Sequence, residues 1–431
     1  MKAVSTPIRR KVELCIGNAG KPVGSLVFTK LGQREHSAVA YDEAWLSQPD
    51  CFNISADLAM TLGYQTHKAA SPHDSVFHGA LADTAPDAWG RRVIAREHAK
   101  RRKEDARLLA LTELDYLLAV DDFSRIGAIR LRDAGGPYHR VAALGRRSTP
   151  PLLDLMRIFQ ASRAVEKGQE TIADLRYLQG KGTSLGGMRP KCTVVDADGW
   201  LAIGKFPSVG DARSVTRGEV LALKLAEKAG IDVAPARIVQ LDEVPVAVIR
   251  RFDRDADDNR VPYQSAASLL QASRAQDHSY TEIADAIRAN SYAPTQDLRQ
   301  LWRRMIFNLL ITNVDDHLQN HGFLHVQRGL WCLAPAFDLN PFPDKDRESK
   351  TWLSELDGPI TDVRMLLNRA NYFALDKSQS LVILAEVHAA ISNWRQLALT
   401  PEIGLQPSEL VDFAPAFEHS QMQEAAGFLK Q

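Results

Sequence analysis

The amino-acid sequence predicts an α+β protein, and three patterns indicate it. Apolar strand patterns separated by glycine-containing turns fill residues 12–41. A second group of strand patterns, between residues 192 and 249, encloses a single helix pattern. After residue 253, apolar side chains recur every three or four positions, which is typical of helices. The predicted parts are residues 1–135, 136–250 and 251–431.

In the first predicted part, short apolar runs alternate with turns and then give way to helices. The strands are predicted at 12–16, 25–29 and 38–41, and a further strand is predicted at 126–131. Helices are predicted over 76–119, with Pro86 in a first turn, where its missing N–H costs nothing. Seven basic residues lie within 91–103. A solvated helix face is the favoured interpretation, and a patch for phosphates or a partner is the alternative.

The second part begins with a helix pattern and continues with strands and one further helix. The third part contains long helices. A helix is predicted over 152–178, and another over 214–229 that ends at Gly230. The strands are predicted at 192–195, 200–206, 236–240 and 244–249. Helices over 296–312 and 378–398 carry buried apolar stripes. A short strand is predicted at 323–326, directly after a very polar stretch.

Charge and cysteine content exclude several classes of function. The 53 basic and 53 acidic side chains cancel, so no net field draws the chain to nucleic acid or to an anionic membrane. The four cysteines form no CxxC pair, which argues against zinc and against a disulfide scaffold and suits a reducing cytosol. The N-terminus lacks the apolar run of a signal peptide, and no spanning stretch of about 18 apolar residues occurs. We therefore expect a cytoplasmic protein without a membrane partner.

The polar stretch at 313–321 is the strongest indication of chemistry. Carboxylates, imidazoles and carboxamides crowd into it, and a core has no use for this polarity because an unpaired buried charge is costly. In metal-assisted phosphoryl transfer, an Asp orients the substrate hydroxyl, an Asn five residues later holds Mg²⁺, and a downstream Asp holds the same metal. Asp315, Asn320 and Asp338 have this spacing. It predicts Asp315 as the base and the other two residues as metal ligands.

A loop and a strand upstream add groups that suit phosphate. Gly186 and Gly187 allow backbone N–H groups to approach phosphate oxygens, and Lys191 adds a charge. Lys205 ends a predicted strand, and a strand lysine that pairs with phosphates usually needs a helix carboxylate to hold its ammonium. Glu219 in the next helix fits that role. Taken singly, Lys205 reads as an exposed strand end and Glu219 as a carboxylate favoured by a helix N-terminus, but the combination favours phosphoryl transfer.

A zinc site is the competing interpretation of the polar stretch. His317, His321 and His325 would share one face of a continuous helix, with a neighbouring Asp as the base. The glycine at position 322 interrupts such a helix, and the residues after it read as a strand. The zinc interpretation is therefore disfavoured. We expect His317 to contact phosphate or to brace the loop.

Together these motifs resemble the HipA family of serine/threonine protein kinases, the toxins of bacterial type II toxin–antitoxin modules. The resemblance extends over nearly the whole chain. The segments that carry it are 79–92, 124–130, 184–191, 203–207, 251–254, 315–320 and 337–338. The combination of Asp-Asp-His-x-x-Asn with Ser-x-Gly-Gly-x-x-Pro-Lys is specific.

The resemblance implies a bilobal, protein-kinase-like α+β fold with an additional N-terminal β-rich subdomain. It implies ATP and Mg²⁺ as cofactors, Asp315 as the proton acceptor, and Asn320 and Asp338 as magnesium ligands. Residues 250–252 correspond to the hinge that receives adenine. The residues implied to contact ATP are Gly186, Gly187, Met188, Arg189, Lys191, Lys205, Glu219, Arg250, Arg251, Phe252, His317, Asn320 and Asp338.

The resemblance also implies regulation and partners. Ser184 corresponds to the serine that family members autophosphorylate, and about −1.5 to −2 charges in a phosphate-binding loop would repel ATP and silence the kinase. A HipB-like helix-turn-helix antitoxin would bind the chain and carry most of the contact with operator DNA. The implied substrate is a protein, such as an aminoacyl-tRNA synthetase, whose modification leads to growth arrest and persistence. A small-molecule phosphotransferase of the same fold and a catalytically silent antitoxin-binding regulator stay open as alternatives.

Overall fold

The computed structural model describes residues 7–142, 154–179, 189–196 and 198–430. Within them the protein is mixed α+β, which confirms the predicted fold class. The chain forms two compact units. The first unit comprises the described residues of 1–204, 253–275 and 327–329, and the second comprises those of 205–252, 276–326 and 330–431. The predicted division at residues 135 and 250 stays a prediction.

Strands occur in both units, mostly as antiparallel neighbours. In chain order they are β1 (Ile8–Ile16), β2 (Lys21–Leu31), β3 (Arg34–Tyr41), β4 (Gln65–His67), β5 (Ile129–Arg132), β6 (Lys191–Val195), β7 (Leu201–Lys205), β8 (Ala236–Leu241), β9 (Val244–Arg250), β10 (Tyr263–Ser265), β11 (Gly322–Gln327), β12 (Leu330–Leu333), β13 (Trp352–Ser354) and β14 (Gly358–Pro359).

The helices of the described residues follow in the same way. They are α1 (Glu43–Leu46), α2 (Gly79–Asp83), α3 (Ala88–Glu104), α4 (Glu113–Ala119), α5 (Leu155–Lys167), α6 (Ile172–Gln179), α7 (Val215–Lys228), α8 (Ala266–Leu269), α9 (Tyr280–Asn290), α10 (Pro294–Leu310), α11 (Val363–Arg369), α12 (Lys377–Ser392), α13 (Trp394–Ala398), α14 (Leu410–Phe417) and α15 (Ser420–Phe428). None of them is both long and apolar enough to cross a membrane.

A five-stranded sheet with the order β4-β3-β2-β1-β5 organises the first unit. The three strands predicted for residues 12–41 are confirmed, and each is longer than its apolar run. Val12 faces Leu26, and Leu26 faces Val39 across the two antiparallel ladders. All three side chains are buried, so the sheet presents an apolar face to the core of this unit.

The segment between α4 and β5 is fixed by a buried arginine and a glycine. The Arg125 guanidinium donates to the carbonyl oxygens of Leu117 at 2.9 Å and Val120 at 3.1 Å. Gly127 has a φ of +68°, and its N–H donates to Asp253 at 2.7 Å. This hydrogen bond takes the N–H away from strand pairing, so β5 begins at residue 129 and not at 126 as predicted. Motif 124–130 thus has a structural role in the first unit.

The helix pattern predicted for residues 76–119 forms three helices. Pro86 lies between α2 and α3 and precedes the N-cap residue Asp87, whose side chain accepts a hydrogen bond from Gly90 N at 2.7 Å. The prediction that Pro86 occupies a first helical turn is therefore wrong. A proline disfavours helical conformation in the residue before it, which explains the break.

The basic segment predicted at residues 91–103 lies on α3, and many of its charges are paired within the first unit. Arg91 pairs with Glu113 at 2.5 Å, and Arg96 pairs with Glu170 at 2.9 Å. Lys100 lies 3.6 Å from the same Glu170 carboxylate. These partly buried pairs connect α3 to neighbouring segments, so part of the basic segment has a structural role.

In the second unit, α7 and α10 are largely buried. The close packing of α7 depends on Gly218, because a Cβ at this position would lie 2.7 Å from the Phe413 ring. Gly230 follows the helix with a φ of +75°, as its predicted role in ending the helix requires. The helix predicted over 378–398 is interrupted at Asn393 and forms α12 and α13.

Candidate active site

Lys205 ends β7, and its ammonium lies between two carboxylates. Its Nζ is 2.5 Å from Glu219 Oε1 and 2.6 Å from Asp338 Oδ1. The lysine side chain is 15% exposed and the glutamate side chain 4%. Burial lowers the pKa of Lys205, but the two carboxylates outweigh it and hold the pKa above its usual value. The structure therefore brings the strand lysine to the helix carboxylate that the sequence suggested, and adds Asp338 as a second partner.

Asp338 has an unusual backbone conformation. Its φ is +56°, in the left-handed region that residues with a Cβ rarely adopt. Such a conformation costs on the order of 1–3 kcal/mol and is concentrated at functional sites. Asn340 Nδ2 donates to Asp338 Oδ1 at 3.2 Å, and the preceding Phe337 packs against Phe252 with ring centroids 5.4 Å apart. These contacts hold the carboxylate in position against Lys205.

Asp315 presents its carboxylate to solvent. The side chain is 57% exposed, and Oδ1 lies 3.0 Å from Nζ of Lys350, which is equally exposed. Its main-chain carbonyl accepts a hydrogen bond of 3.2 Å from Asn320 Nδ2. A 3-10 turn over Leu318–Asn320 brings the carboxamide back to that carbonyl. Asp315 is therefore accessible to a substrate hydroxyl, and the Asn320 amide group is oriented by the same loop.

The neighbouring Asp316 points into the core of the second unit and is 2% exposed. Its Oδ2 accepts hydrogen bonds from the Tyr280 hydroxyl, from Asn308 Nδ2 at 2.7 Å and from His321 Nε2 at 3.0 Å. Burial raises the pKa of Asp316, but the nearby His321 and these hydrogen bonds outweigh it and leave the pKa below its usual value. We call this set the Asp316 network.

Backbone contacts hold the polar stretch on both sides. Thr351 Oγ1 donates to the carbonyl of Asp316 at 2.7 Å, and Lys350 N donates to the carbonyl of Val314 at 3.1 Å. Asn313 Nδ2 donates to Asn308 Oδ1 at 3.0 Å. Because these side chains and carbonyls are mostly buried, the loop that carries Asp315 has a defined shape.

His317 lies within electrostatic reach of three acidic residues of the site, Asp315, Asp316 and Asp338. Burial lowers the pKa of His317, and Asp315 is the strongest of the charges that oppose this shift. Asp316 and Asp338 act in the same direction, and Lys350 acts against them. The charges of Asp315 and Asp338, which lie far apart in the sequence, therefore both act on this imidazole. Its Nδ1 has no hydrogen-bond partner among the described residues.

The three histidines of the competing interpretation, His317, His321 and His325, do not share one helix face. His321 bonds to Asp316, whereas His325 lies in β11 with its ring 5.4 Å from that of Trp331. Burial lowers the pKa of His325 to about 4. The alignment that the competing interpretation requires is therefore absent.

The other predicted nucleotide contacts are less informative. Ser184, Gly186, Gly187 and Met188 lie outside the described residues. Lys191 begins β6, and its buried Nζ is 3.0 Å from Asp87 Oδ2 within the first unit. Arg189 is half-buried, Arg250 ends β9, and Arg251 is buried. Their roles toward ATP stay predictions.

Sequence reasoning missed two features of the site. The Asp316 network depends on Tyr280 and Asn308, which lie 36 and 8 residues before Asp316, so no local spacing announces it. The signal in the sequence is the pair of adjacent aspartates at 315 and 316, because a loop bend places consecutive side chains on opposite sides. Lys350 had no signal in the sequence.

Comparison with known proteins identifies two family matches and similar relatives. Residues 183–394 match the HipA-like C-terminal domain, and residues 16–117 match the HipA N-terminal domain. Two relatives carry the name "Putative kinase". Y4mE of Sinorhizobium fredii is 26% identical over 323 residues, covering 70% of this chain and 71% of that protein. A protein of Haemophilus influenzae is 25% identical over 188 residues, covering 38% of this chain and 55% of that protein.

A solved structure shares the fold over almost the full length. It is a chain from the complex of the Shewanella oneidensis MR-1 toxin–antitoxin system HipA, HipB and its operator DNA. The TM-score is 0.66 with 15% sequence identity, and the alignment covers 97% of this chain and 98% of that chain. At this identity the similarity shows a common fold.

Proposed function

Because the chain belongs to the HipA family, we propose that it is an ATP- and Mg²⁺-dependent serine/threonine protein kinase and the toxin of a toxin–antitoxin module. The observation that carries the proposal is the buried ammonium of Lys205 held between Glu219 and Asp338. A structural ion pair needs one carboxylate. A second carboxylate on a residue with strained backbone suits a site that must also hold a divalent cation and phosphate.

The donor atoms of the site suit Mg²⁺. Mg²⁺ prefers oxygen ligands, and Asp338 and Asn320 offer a carboxylate and a carboxamide oxygen. The Asn320 amide nitrogen is already used by the Asp315 carbonyl, so its oxygen is the atom left for a cation. Asp338 already holds a positive charge in the form of Lys205. When bound, the metal would neutralise charge on the phosphates, and Asn320 and Asp338 would hold it.

Asp315 fits the role of the base that orients a hydroxyl. Its exposed carboxylate can accept the proton of a serine or threonine hydroxyl, and the Asp316 network holds the loop beneath it. Lys350, 3.0 Å from Asp315, adds a positive charge where the transferred phosphoryl group carries negative charge. We propose that Ser184 is the site of self-phosphorylation and that its phosphate silences the kinase.

The partners proposed for the chain follow from the family and the balanced charge. The similar solved chain lies in a complex with HipB and operator DNA. With 53 basic and 53 acidic residues, this chain has no net charge to bind DNA alone. A HipB-like antitoxin would therefore supply most of the DNA contact. The proposed substrate is a cytoplasmic protein of translation, such as an aminoacyl-tRNA synthetase.

Intact-mass analysis of the full chain after incubation with Mg·ATP tests the enzyme proposal. We expect the native chain to gain one phosphoryl group, mapped to Ser184, and Asp315→Asn to gain none. Asp412→Asn, an exposed aspartate on α14, is the matched control and should behave like the native chain. Labelled ATP and a bacterial lysate, with and without the Asp315→Asn change, then identify protein substrates.

Three results separate the alternatives. If neither the chain nor any lysate protein gains phosphate, and calorimetry detects no Mg·ATP binding, the chain is a silent regulator and the proposal fails. If a metabolite accepts phosphate while proteins do not, the chain is a small-molecule phosphotransferase. Phosphate on the chain at a residue other than Ser184 retains the kinase and removes the self-silencing switch.

A further inference from the structure

The first unit contains a cluster of three side chains of the types that bind metal ions. Asp57, His67 and His78 each offer one ligand atom, and these atoms all lie within 4.8 Å of one another. Asp57 Oδ2 is 3.3 Å from His67 Nδ1 and 2.8 Å from His78 Nδ1. His67 ends β4, and His78 directly precedes α2. The three residues therefore come from separate segments and meet at one point.

Neighbouring groups orient the Asp57 carboxylate. Its Oδ1 accepts hydrogen bonds from Ser55 Oγ at 2.5 Å and from Gly79 N at 3.3 Å. Ser55 Oγ also accepts a hydrogen bond from Ala80 N at 3.0 Å, so it is itself fixed. With Oδ1 occupied by these donors, Oδ2 is the oxygen that faces the two imidazoles.

The buried imidazole of His78 is oriented in the same manner. Its Nε2 donates to the main-chain oxygen of Gln65 at 3.1 Å, so Nδ1, which is hydrogen-bonded to Asp57 Oδ2 at 2.8 Å, is the atom that an ion would bind in place of that hydrogen bond. Histidines that bind metals usually donate their second N–H to such a carbonyl. The Gln65 side chain makes two hydrogen bonds of 2.8 Å with the backbone of Ala59, so the segment that offers the carbonyl is braced.

The distances and the exposure of the cluster suit a divalent ion. Two ligands bound about 2.0–2.1 Å from one tetrahedral ion lie about 3.3 Å apart. The separations of 2.8 and 3.3 Å between Asp57 Oδ2 and the two imidazoles need only a small adjustment to reach this value. The His78 and Asp57 side chains are 3% and 11% exposed, whereas His67 is 29% exposed. The ion would enter, and keep a water ligand, on the His67 side.

We propose that Asp57, His67 and His78 bind a late first-row transition-metal cation, with Zn²⁺ as the representative. Two imidazole nitrogens and one carboxylate oxygen suit Zn²⁺, Co²⁺ or Ni²⁺, whereas Mg²⁺ and Ca²⁺ prefer oxygen alone. The cysteine pattern argued against zinc, but this cluster needs no cysteine. The bound ion ties the segment around Asp57 to β4 and to the start of α2. The site is independent of the proposed kinase activity.

Metal binding to the full chain tests the proposal. After EDTA treatment and dialysis, the native chain is titrated with Zn²⁺ by calorimetry, and with Co²⁺ by visible absorption. His67→Gln removes the most exposed ligand, and His73→Gln changes an exposed histidine six residues away as the matched control. We expect one ion per chain, a loss of affinity of about 100-fold or more in His67→Gln, and no change in His73→Gln. The visible absorption bands of bound Co²⁺ should be equally strong in the native chain and His73→Gln, and weaker in His67→Gln.

Thermal melting separates lost binding from lost folding. In EDTA, His67→Gln should melt close to the native chain, and added Zn²⁺ should raise the melting temperature of the native chain and the control alone. Equal Zn²⁺ affinity in the native chain and His67→Gln would mean an adventitious ion and would overturn the proposal. No Zn²⁺ binding to the native chain would mean that the three residues form only a hydrogen-bonded cluster. An equal loss of Zn²⁺ affinity in His73→Gln would mean that the ion binds at a different site, and would also overturn the proposal.

Discussion

Replacing aspartate by asparagine at the consecutive positions 315 and 316 should affect activity at the first position and stability at the second. Asp315→Asn changes an exposed carboxylate whose cationic partner Lys350 is equally exposed. Asp316→Asn changes a carboxylate that is 2% exposed and accepts three hydrogen bonds on one oxygen. The chemical change is identical, so any difference in outcome reports the surroundings of the two side chains.

The expected magnitudes differ by several kcal/mol. Loss of an exposed ion pair changes the free energy of unfolding by about 0–1 kcal/mol, so Asp315→Asn should be nearly neutral for stability. Removing the charge from a buried charged pair costs about 3–5 kcal/mol, because the donors stay buried around a neutral amide that has one acceptor oxygen instead of two. Asp316→Asn should lose an amount in that range. For phosphoryl transfer, loss of Asp315, the proposed base, should lower the rate by about 10²–10⁴-fold.

Hydrogen exchange and a phosphotransfer assay measure both effects in the second unit. Peptides from α9 and α10, which carry Tyr280 and Asn308, should exchange at the native rate in Asp315→Asn and faster in Asp316→Asn. Thermal melting should give the same order. Equal destabilisation by the two variants would refute the assignment of Asp316 as the buried and Asp315 as the exposed member. Full activity in Asp315→Asn would refute its role as the base.

Four further outcomes follow from the same contacts. Lys205→Met should abolish phosphoryl transfer and lower the melting temperature, because it leaves two carboxylates facing each other. Unchanged nucleotide binding by calorimetry would contradict the proposed contact of Lys205 with the nucleotide phosphates. Lys350→Gln should reduce the transfer rate without changing the melting curve, since its side chain is exposed. Gly218→Ala should destabilise the second unit by about 1–3 kcal/mol in urea denaturation, because its Cβ would meet the Phe413 ring. The folded-state pKa of Asp316 lies below the usual unfolded value of about 3.9. The ionised Asp316 therefore stabilises the fold above about pH 3.9, and this stabilisation is lost as the pH falls through the folded-state pKa. Asp316→Asn should remove this part of the acid dependence of the urea midpoint.

Local patterns were sufficient for most of the fold. The strand alternation around Val12 and Leu26 and the glycine after α7 predicted elements that the structure contains. The failures are at interruptions. Pro86 separates two helices and Asn393 separates two others, and in both places the apolar periodicity continues across the break. Periodicity records which face is buried, but it does not record where the backbone leaves the helix.

The candidate site was predictable where its members belong to known spacings. Lys205 and Glu219 lie fourteen residues apart and are in contact. The contact between Lys205 and Asp338 spans 133 residues, and the one between Tyr280 and Asp316 spans 36. No propensity or motif encodes such pairs, because they arise from tertiary packing of helices and loops. The functional roles of these residues stay predictions.

The position of Lys205 has a consequence for the cooperativity of metal and nucleotide binding at the proposed site. The Lys205 ammonium is a counter-ion of the Asp338 carboxylate, at 2.6 Å. At the proposed ATP site, a divalent cation that neutralises this carboxylate would release the lysine to face nucleotide phosphates, and phosphates that attract the lysine would uncover Asp338. Each ligand therefore removes a competitor of the other. Thermodynamic linkage requires the two enhancements to be equal, so Mg²⁺ should tighten nucleotide binding by the same factor, about 5–150-fold for a coupling of 1–3 kcal/mol, by which nucleotide tightens Mg²⁺ binding.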